Sequence, residues 1–100
     1  MTVEFLSALA EPTRLAVIAI LADGTERCVC ELMERLGVTQ SRMSRHMGVL
    51  RQAGLVVSRR DAQWVRYKLN AGMPDEHRAI LDAVLQAVTL ENEDVERNVA

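Results

Sequence analysis

Between Leu36 and Thr39 the chain has only Gly37 and Val38 in which to end one helix and begin another. Upstream, Val29, Leu32, Met33 and Leu36 recur at helical spacing, and glycine is the residue best able to close a helix in the left-handed conformation. Downstream, Thr39 is a suitable N-cap, Met43, Met47 and Leu50 form a second stripe, and Gly54 closes the segment. Two helices joined so tightly must cross at a steep angle, as in a helix-turn-helix. The β-prone runs L-V-V-S-R-R and W-V-R-Y-K-L follow, joined through Asp61-Ala62-Gln63, which predicts a hairpin.

The rest of the chain supplies a frame. Val3, Leu6 and Leu9, with Phe5, predict a short first helix. Pro12 suits the first turn of a second, which runs through Leu15, Ile18, Ala19 and Ala22 to Asp23-Gly24. After Met73-Pro74, a last helix carries Ile80, Leu81, Val84, Leu85 and Val88 on one side. The expectation is a mainly α fold with a small β-hairpin: a winged helix-turn-helix of five helices and a two-stranded wing, one unit over residues 1–100. The first and last helices carry more apolar surface than so small a domain can cover. This predicts a homodimer, twofold symmetry being the commonest solution.

Charge is segregated along the sequence. The net charge is −2, yet residues 42–68 hold Arg42, Arg45, Arg51, Arg59, Arg60, Arg66 and Lys68 against Asp61 alone. Residues 1–41 and 69–100 are both net acidic. A basic block confined to the second helix of the pair and the hairpin predicts a double-stranded DNA surface. Gln40, Ser41, Ser44 and Arg45 would face base edges from the fourth helix, with Arg42 and His46 bordering the same face as further DNA-binding candidates. Arg59, Arg60 and Arg66 would hold phosphates from the wing, fixing position without reading sequence. His46 has the alternative of a hydrogen bond at the edge of the core.

Apolar runs are too short to cross a membrane. The opening M-T-V-E-F-L-S-A-L-A-E-P carries Glu4 and no basic stretch, so no signal peptide and a cytoplasmic location are expected. No nucleophile–base constellation or phosphate loop is present to suggest an enzyme or an organic cofactor.

The only two cysteines, Cys28 and Cys30, lie in E-R-C-V-C-E-L. Cys28 occupies the N-cap position of the third helix and Cys30 its first turn, where free N–H groups and Arg27 favour thiolate. Soft thiolates select trivalent arsenic or antimony, Cu(I), or Zn and Cd at the borderline. Within a regular helix, residues two apart point away from each other, so sharing an ion predicts an unwound first turn. Redox or electrophile sensing is an alternative, with a disulfide between residues so close expected to need partner thiols. Buried filler is another.

Taken in order, A-L-A-E-P-T-R-L, V-C-E-L-M-E-R-L-G, T-Q-S-R-M-S-R-H-M-G-V-L-R-Q-A-G-L-V and W-V-R-Y-K-L resemble the ArsR/SmtB family of metal-responsive repressors over about residues 5–70. The resemblance implies a homodimeric operator-binding repressor that leaves DNA when a metal or metalloid binds. C-V-C-E-L is similar to the third-helix site of the arsenic-responsive branch, which has a third cysteine where this chain has Met33. The missing ligand would come from a small thiol, hydroxide, the partner's pair, or the carbon of a monosubstituted arsenical. Relatives with a zinc site on the last helix pair Asp/His ligands from its two ends. Here Asp75 and His77 stand at one end, but Val88 and Glu91 at the other. The rival expectation is a repressor answering Zn, Cd or thiol oxidation, or one with no inducer.

Overall fold

The computed structural model describes residues 1–99, with side chains described through residue 92; Ala100 lies outside the described residues. The order is α1 (Thr2–Leu9), α2 (Pro12–Leu21), β1 (Arg27–Cys28), α3 (Val29–Leu36), α4 (Gln40–Gln52), β2 (Val56–Asp61), β3 (Trp64–Leu69) and α5 (Asp75–Val99). The five expected helices and the hairpin are present.

The tight turn forms as its residues require. Gly37 takes φ +63° and ψ 36°, and the Val38 N–H donates to the Met33 carbonyl at 3.2 Å. Thr39 Oγ1 accepts from the Arg42 N–H at 3.4 Å, capping α4. At the start of α2, Pro12 sits in the first turn and the Glu11 carboxylate accepts from the Arg14 N–H at 2.8 Å.

One core joins the elements. Val29 and Leu32 of α3 meet Met43, Met47 and Leu50 of α4 and Leu55 and Val56 at the root of the wing. The inward faces of α1 and α2 differ from the expected stripes. Phe5, Ala8 and Leu9 are buried in α1, whereas Val3 and Leu6 are 79% and 45% exposed. In α2 the buried set is Val17, Ile18 and Leu21, and Ala19 and Ala22 face solvent. The helices had apolar residues enough for two faces, and packing against each other and against α4 selected one. Leu81 of α5 is fully buried, with Ile80, Val84 and Leu85 packed beside it.

The sheet has a third strand that the sequence reading missed. Its order is β1-β3-β2, with every pairing antiparallel. The two-stranded wing is therefore extended at its base by Arg27 and Cys28. Two residues carry no period for a pattern to reveal, so β1 exists only because β3 offers it an edge.

Candidate nucleic-acid interface and thiol pair

On α4, 3.6 residues per turn places Ser41, Arg45, Gly48 and Gln52 about opposite the Met43–Met47–Leu50 stripe. Gln40 and Ser44 flank this row on one side and Arg42 on the other. Gln40, Ser41, Arg42, Ser44 and Arg45 are all exposed. These five share one outward surface. Arg51 and Gln52, exposed in the last turn, extend it.

His46 is set apart from that group. Its Nδ1 lies 3.3 Å from Arg14 Nη1 and 3.8 Å from Glu11 Oε2. Arg14 also donates to the Ala8 carbonyl at 2.7 Å and the Ser7 carbonyl at 3.3 Å. Thus His46 fastens α4 to the α1–α2 junction. The Arg14 backbone N–H, which donates to the Glu11 carboxylate, holds that carboxyl below the usual range.

The wing arginines are divided by register. Arg59 stands opposite Arg66, and Arg60 opposite Val65. Alternation puts Arg59 and Arg66 on one face and Arg60 on the other. Like charges directly opposed across strands repel, and each has acquired a carboxylate. Glu26 takes three hydrogen bonds from Arg59, from Nε at 2.9 and 3.0 Å and from Nη2 at 2.7 Å. Asp61 accepts from Arg66 Nε at 2.8 Å. These guanidiniums hold the Glu26 and Asp61 carboxyls below their ordinary values. Arg59 and Arg66 are therefore already ion-paired, while Arg60 and Lys68 have no salt-bridge partner among the described residues.

Strand β1 brings the cysteines to this wing. Cys28 pairs with Arg66 and Arg27 with Tyr67, so Cys28, Arg66 and Arg59 form one cross-strand row. Cys28 is extended (φ −67°, ψ 141°) and caps α3, its Sγ accepting from the Cys30 N–H at 3.2 Å. The Cα atoms of Cys28 and Cys30 are 5.2 Å apart and their sulfurs are joined as a disulfide. One expectation is corrected here. The sulfurs meet with the first turn of α3 intact, because Cys28 lies outside the helix and its Cβ leaves at a strand angle. The Cα separation is inside the usual 4.4–6.8 Å range for a disulfide.

Arg27 does not offer the pair a spare charge. Its Nη2 donates to Asp23 at 2.8 Å and its Nη1 to Glu31 at 2.9 Å, and hydrogen bonding to Asp23 leads the rise in its pKa. Arg66 stands directly opposite Cys28 across the strand pair. Met33 is half-buried against the core. Among the described residues no three His, Cys, Asp or Glu side chains converge as a metal site. The pair thus fits two of the ligands of a soft thiophilic centre, and the described residues of the chain offer no four-ligand zinc set. His77 of α5 stacks on buried Phe5 with ring centroids 4.4 Å apart, which ties α5 to α1.

Known proteins match this arrangement. The profile of the bacterial regulatory proteins of the arsR family matches residues 11–58. The arsenical resistance operon repressor of Escherichia coli is 32% identical over 98 residues, covering 98% of this chain and 84% of that one. An arsenic resistance transcriptional regulator of Pseudomonas putida is 40% identical over 79 residues, covering 79% and 62%. Among solved structures, HlyU of Vibrio cholerae superimposes with a TM-score of 0.74 at 36% identity, over 86% of this chain and 89% of that one.

Proposed function

The chain belongs to the arsR family of bacterial regulatory proteins, and from that premise we propose that it binds operator DNA as a homodimer and releases it when trivalent arsenic or antimony binds Cys28 and Cys30. It is a transcriptional repressor, not an enzyme, as its relatives are. The single observation that carries the inducer assignment is the meeting of both sulfurs at the β1–α3 junction. That junction adjoins the wing through β1 and leads through α3 to the helix proposed to read DNA. Through β1, Cys28 is paired with Arg66 of the wing. Through α3, Cys30 is one short helix and the turn at Gly37-Val38 away from α4.

On the DNA-bound side, α4 would enter the major groove. Gln40 and Arg45 would reach base edges, and Ser41, Arg42 and Ser44 would support them. Arg60, with Arg59 and Arg66 when freed from their carboxylates, would hold phosphates. His46 positions α4 from behind. Two protomers would meet through the exposed Val3 and Leu6 of α1 together with α5, presenting two recognition helices about one DNA turn apart. On the inducer-bound side, the reduced pair holds the metalloid, and the clamp alters how β1 and α3 sit against β3 and α4. A linkage of this kind is reciprocal and typically worth ~1–3 kcal/mol.

A second reading, thiol redox sensing, is favoured by the direct bond between the sulfurs. One experiment separates the two. An operator complex of the reduced protein is titrated with arsenite, antimonite, Zn, Cd and peroxide, in parallel with a Cys28→Ser/Cys30→Ser variant. Release by arsenite or antimonite that the double variant lacks supports the proposal. Equal release from the variant defeats it, and release by peroxide alone selects the redox reading.

A further inference from the structure

A shallow groove of about 540 Å³ opens beside the thiol pair, and its lining includes Cys30, Met33, Glu34, Val38, Thr39, Gln40 and Trp64. Trp64 is 41% exposed, and by alternation along β3 it lies on the sheet face that carries Arg66 and Cys28. The groove therefore lies between that face and α3, with one wall formed by the sensing thiol and another by the start of α4.

We propose that this groove receives the organic substituent of a monosubstituted trivalent arsenical, which makes such a compound, rather than arsenite or antimonite, the preferred ligand. The proposal rests on Cys28 and Cys30 being the inducer site. Valence is its first support. The chain has two cysteines and no third. Arsenite bound to two thiolates keeps one oxygen that a third thiol would replace. A compound R–As(OH)₂ has only two exchangeable oxygens. Both thiols add to arsenic, both As–O bonds break, and the two thiol protons leave with the hydroxides as two waters. Arsenic stays trivalent and the As–C bond is untouched. The dithiol form arises from the disulfide by reaction with two equivalents of a monothiol, which leave as their own disulfide.

The lining is the second support. A thioether, an indole and a branched aliphatic side chain make a soft, polarizable surface suited to an aryl or alkyl group. No lysine or arginine lines the groove, and Glu34 is present. A neutral substituent is favoured over an anionic one. Because Gln40 and Thr39 begin the recognition helix, filling the groove acts where α4 starts.

Trp64 is the chain's single tryptophan, so its emission reports the groove directly. The full chain, reduced and kept anaerobic, is titrated with phenylarsonous acid, methylarsonous acid, para-carboxyphenylarsonous acid and arsenite, and followed by Trp64 emission and intact mass. The expected result is one arsenical per chain for each organic probe. The phenyl compound should bind about tenfold or more tighter than the methyl, perturb Trp64 emission, and outcompete the carboxyphenyl compound. Trp64→Ala, checked for folding by circular dichroism, should bring phenyl and methyl within about twofold, and Trp64→Phe should restore the preference. If phenyl and methyl bind alike to the wild type, or if Trp64→Ala leaves their ratio unchanged, the groove assignment is overturned while the thiol site stands. If the reduced chain binds none of the arsenicals, both are overturned.

Discussion

Replacing Glu26 by glutamine should strengthen DNA binding, although it removes the best-formed ion pair of the wing. Glu26 takes its hydrogen bonds from Arg59 at 2.7 to 3.0 Å, holding a cation of the basic block in an intramolecular pair. The pair is exposed, so its loss should cost little stability. Among described residues of the basic block, Arg42, Arg45, Arg51, Arg60 and Lys68 have no salt-bridge partner, whereas Arg59 and Arg66 do. If the four unpaired cations other than Arg45, which is assigned to base edges, met phosphates in each protomer, a dimer's log K against log salt would slope at about −7, at roughly −0.9 per phosphate. Freeing Arg59 in both protomers steepens the slope by about 1.8. At 0.1 M salt that corresponds to at most about 60-fold tighter binding. Fluorescence anisotropy with a labelled operator duplex between 0.05 and 0.3 M salt measures both quantities; adding Arg59→Gln to the Glu26→Gln background should abolish the gain. An unchanged slope with weaker binding would refute the reasoning, showing that Glu26 orients Arg59 toward DNA instead of withholding it.

Four further outcomes are expected. Gly37→Ala should destabilise the fold by about 1–2 kcal/mol, since a Cβ at φ +63° is strained even with nothing within 4 Å. Gly48→Ala should instead stabilise α4 by about 0.5–1 kcal/mol, and urea unfolding of both variants checks the contrast. Leu32→Ala, which empties a fully buried position where α3 meets α4, should cost about 2–5 kcal/mol by the same assay. Acid should destabilise the protein through Glu11, whose folded pKa is lowered chiefly by the Arg14 N–H. A depressed carboxyl contributes stability that is present above its unfolded value near 4.3 and lost as pH falls through the folded value. Melting temperatures from pH 7 to 3 should therefore decline below about pH 4.3 less steeply in Glu11→Gln than in the wild type.

Much of the site was legible because its determinants are local. Gly37, Thr39, Pro12 and the Met43–Met47–Leu50 stripe each act on residues within a turn or two, so helix limits and the outward face of α4 followed from the sequence. Cys28 as N-cap followed in the same way. Its consequence did not, because a cap residue has strand-like angles and brings Sγ back toward Cys30, which helical geometry forbids. The expected stripe of α1 held only in part for a related reason: Phe5 and Leu9 are buried and Val3 and Leu6 are not, and the choice among these apolar residues is made by α2 and α4.

The charged residues mark where the sequence stopped deciding. It determined that the basic block is confined to residues 42–68, a matter of composition that no fold can alter. Tertiary structure alone decided which of those charges are spent. Glu26 reaches Arg59 across 33 residues, Arg14 reaches His46 across 32, and Cys28 lies beside Arg66 because a two-residue strand pairs with β3. Such pairings depend on how strands and helices assemble, and nothing in the spacing of the partners along the chain encodes them.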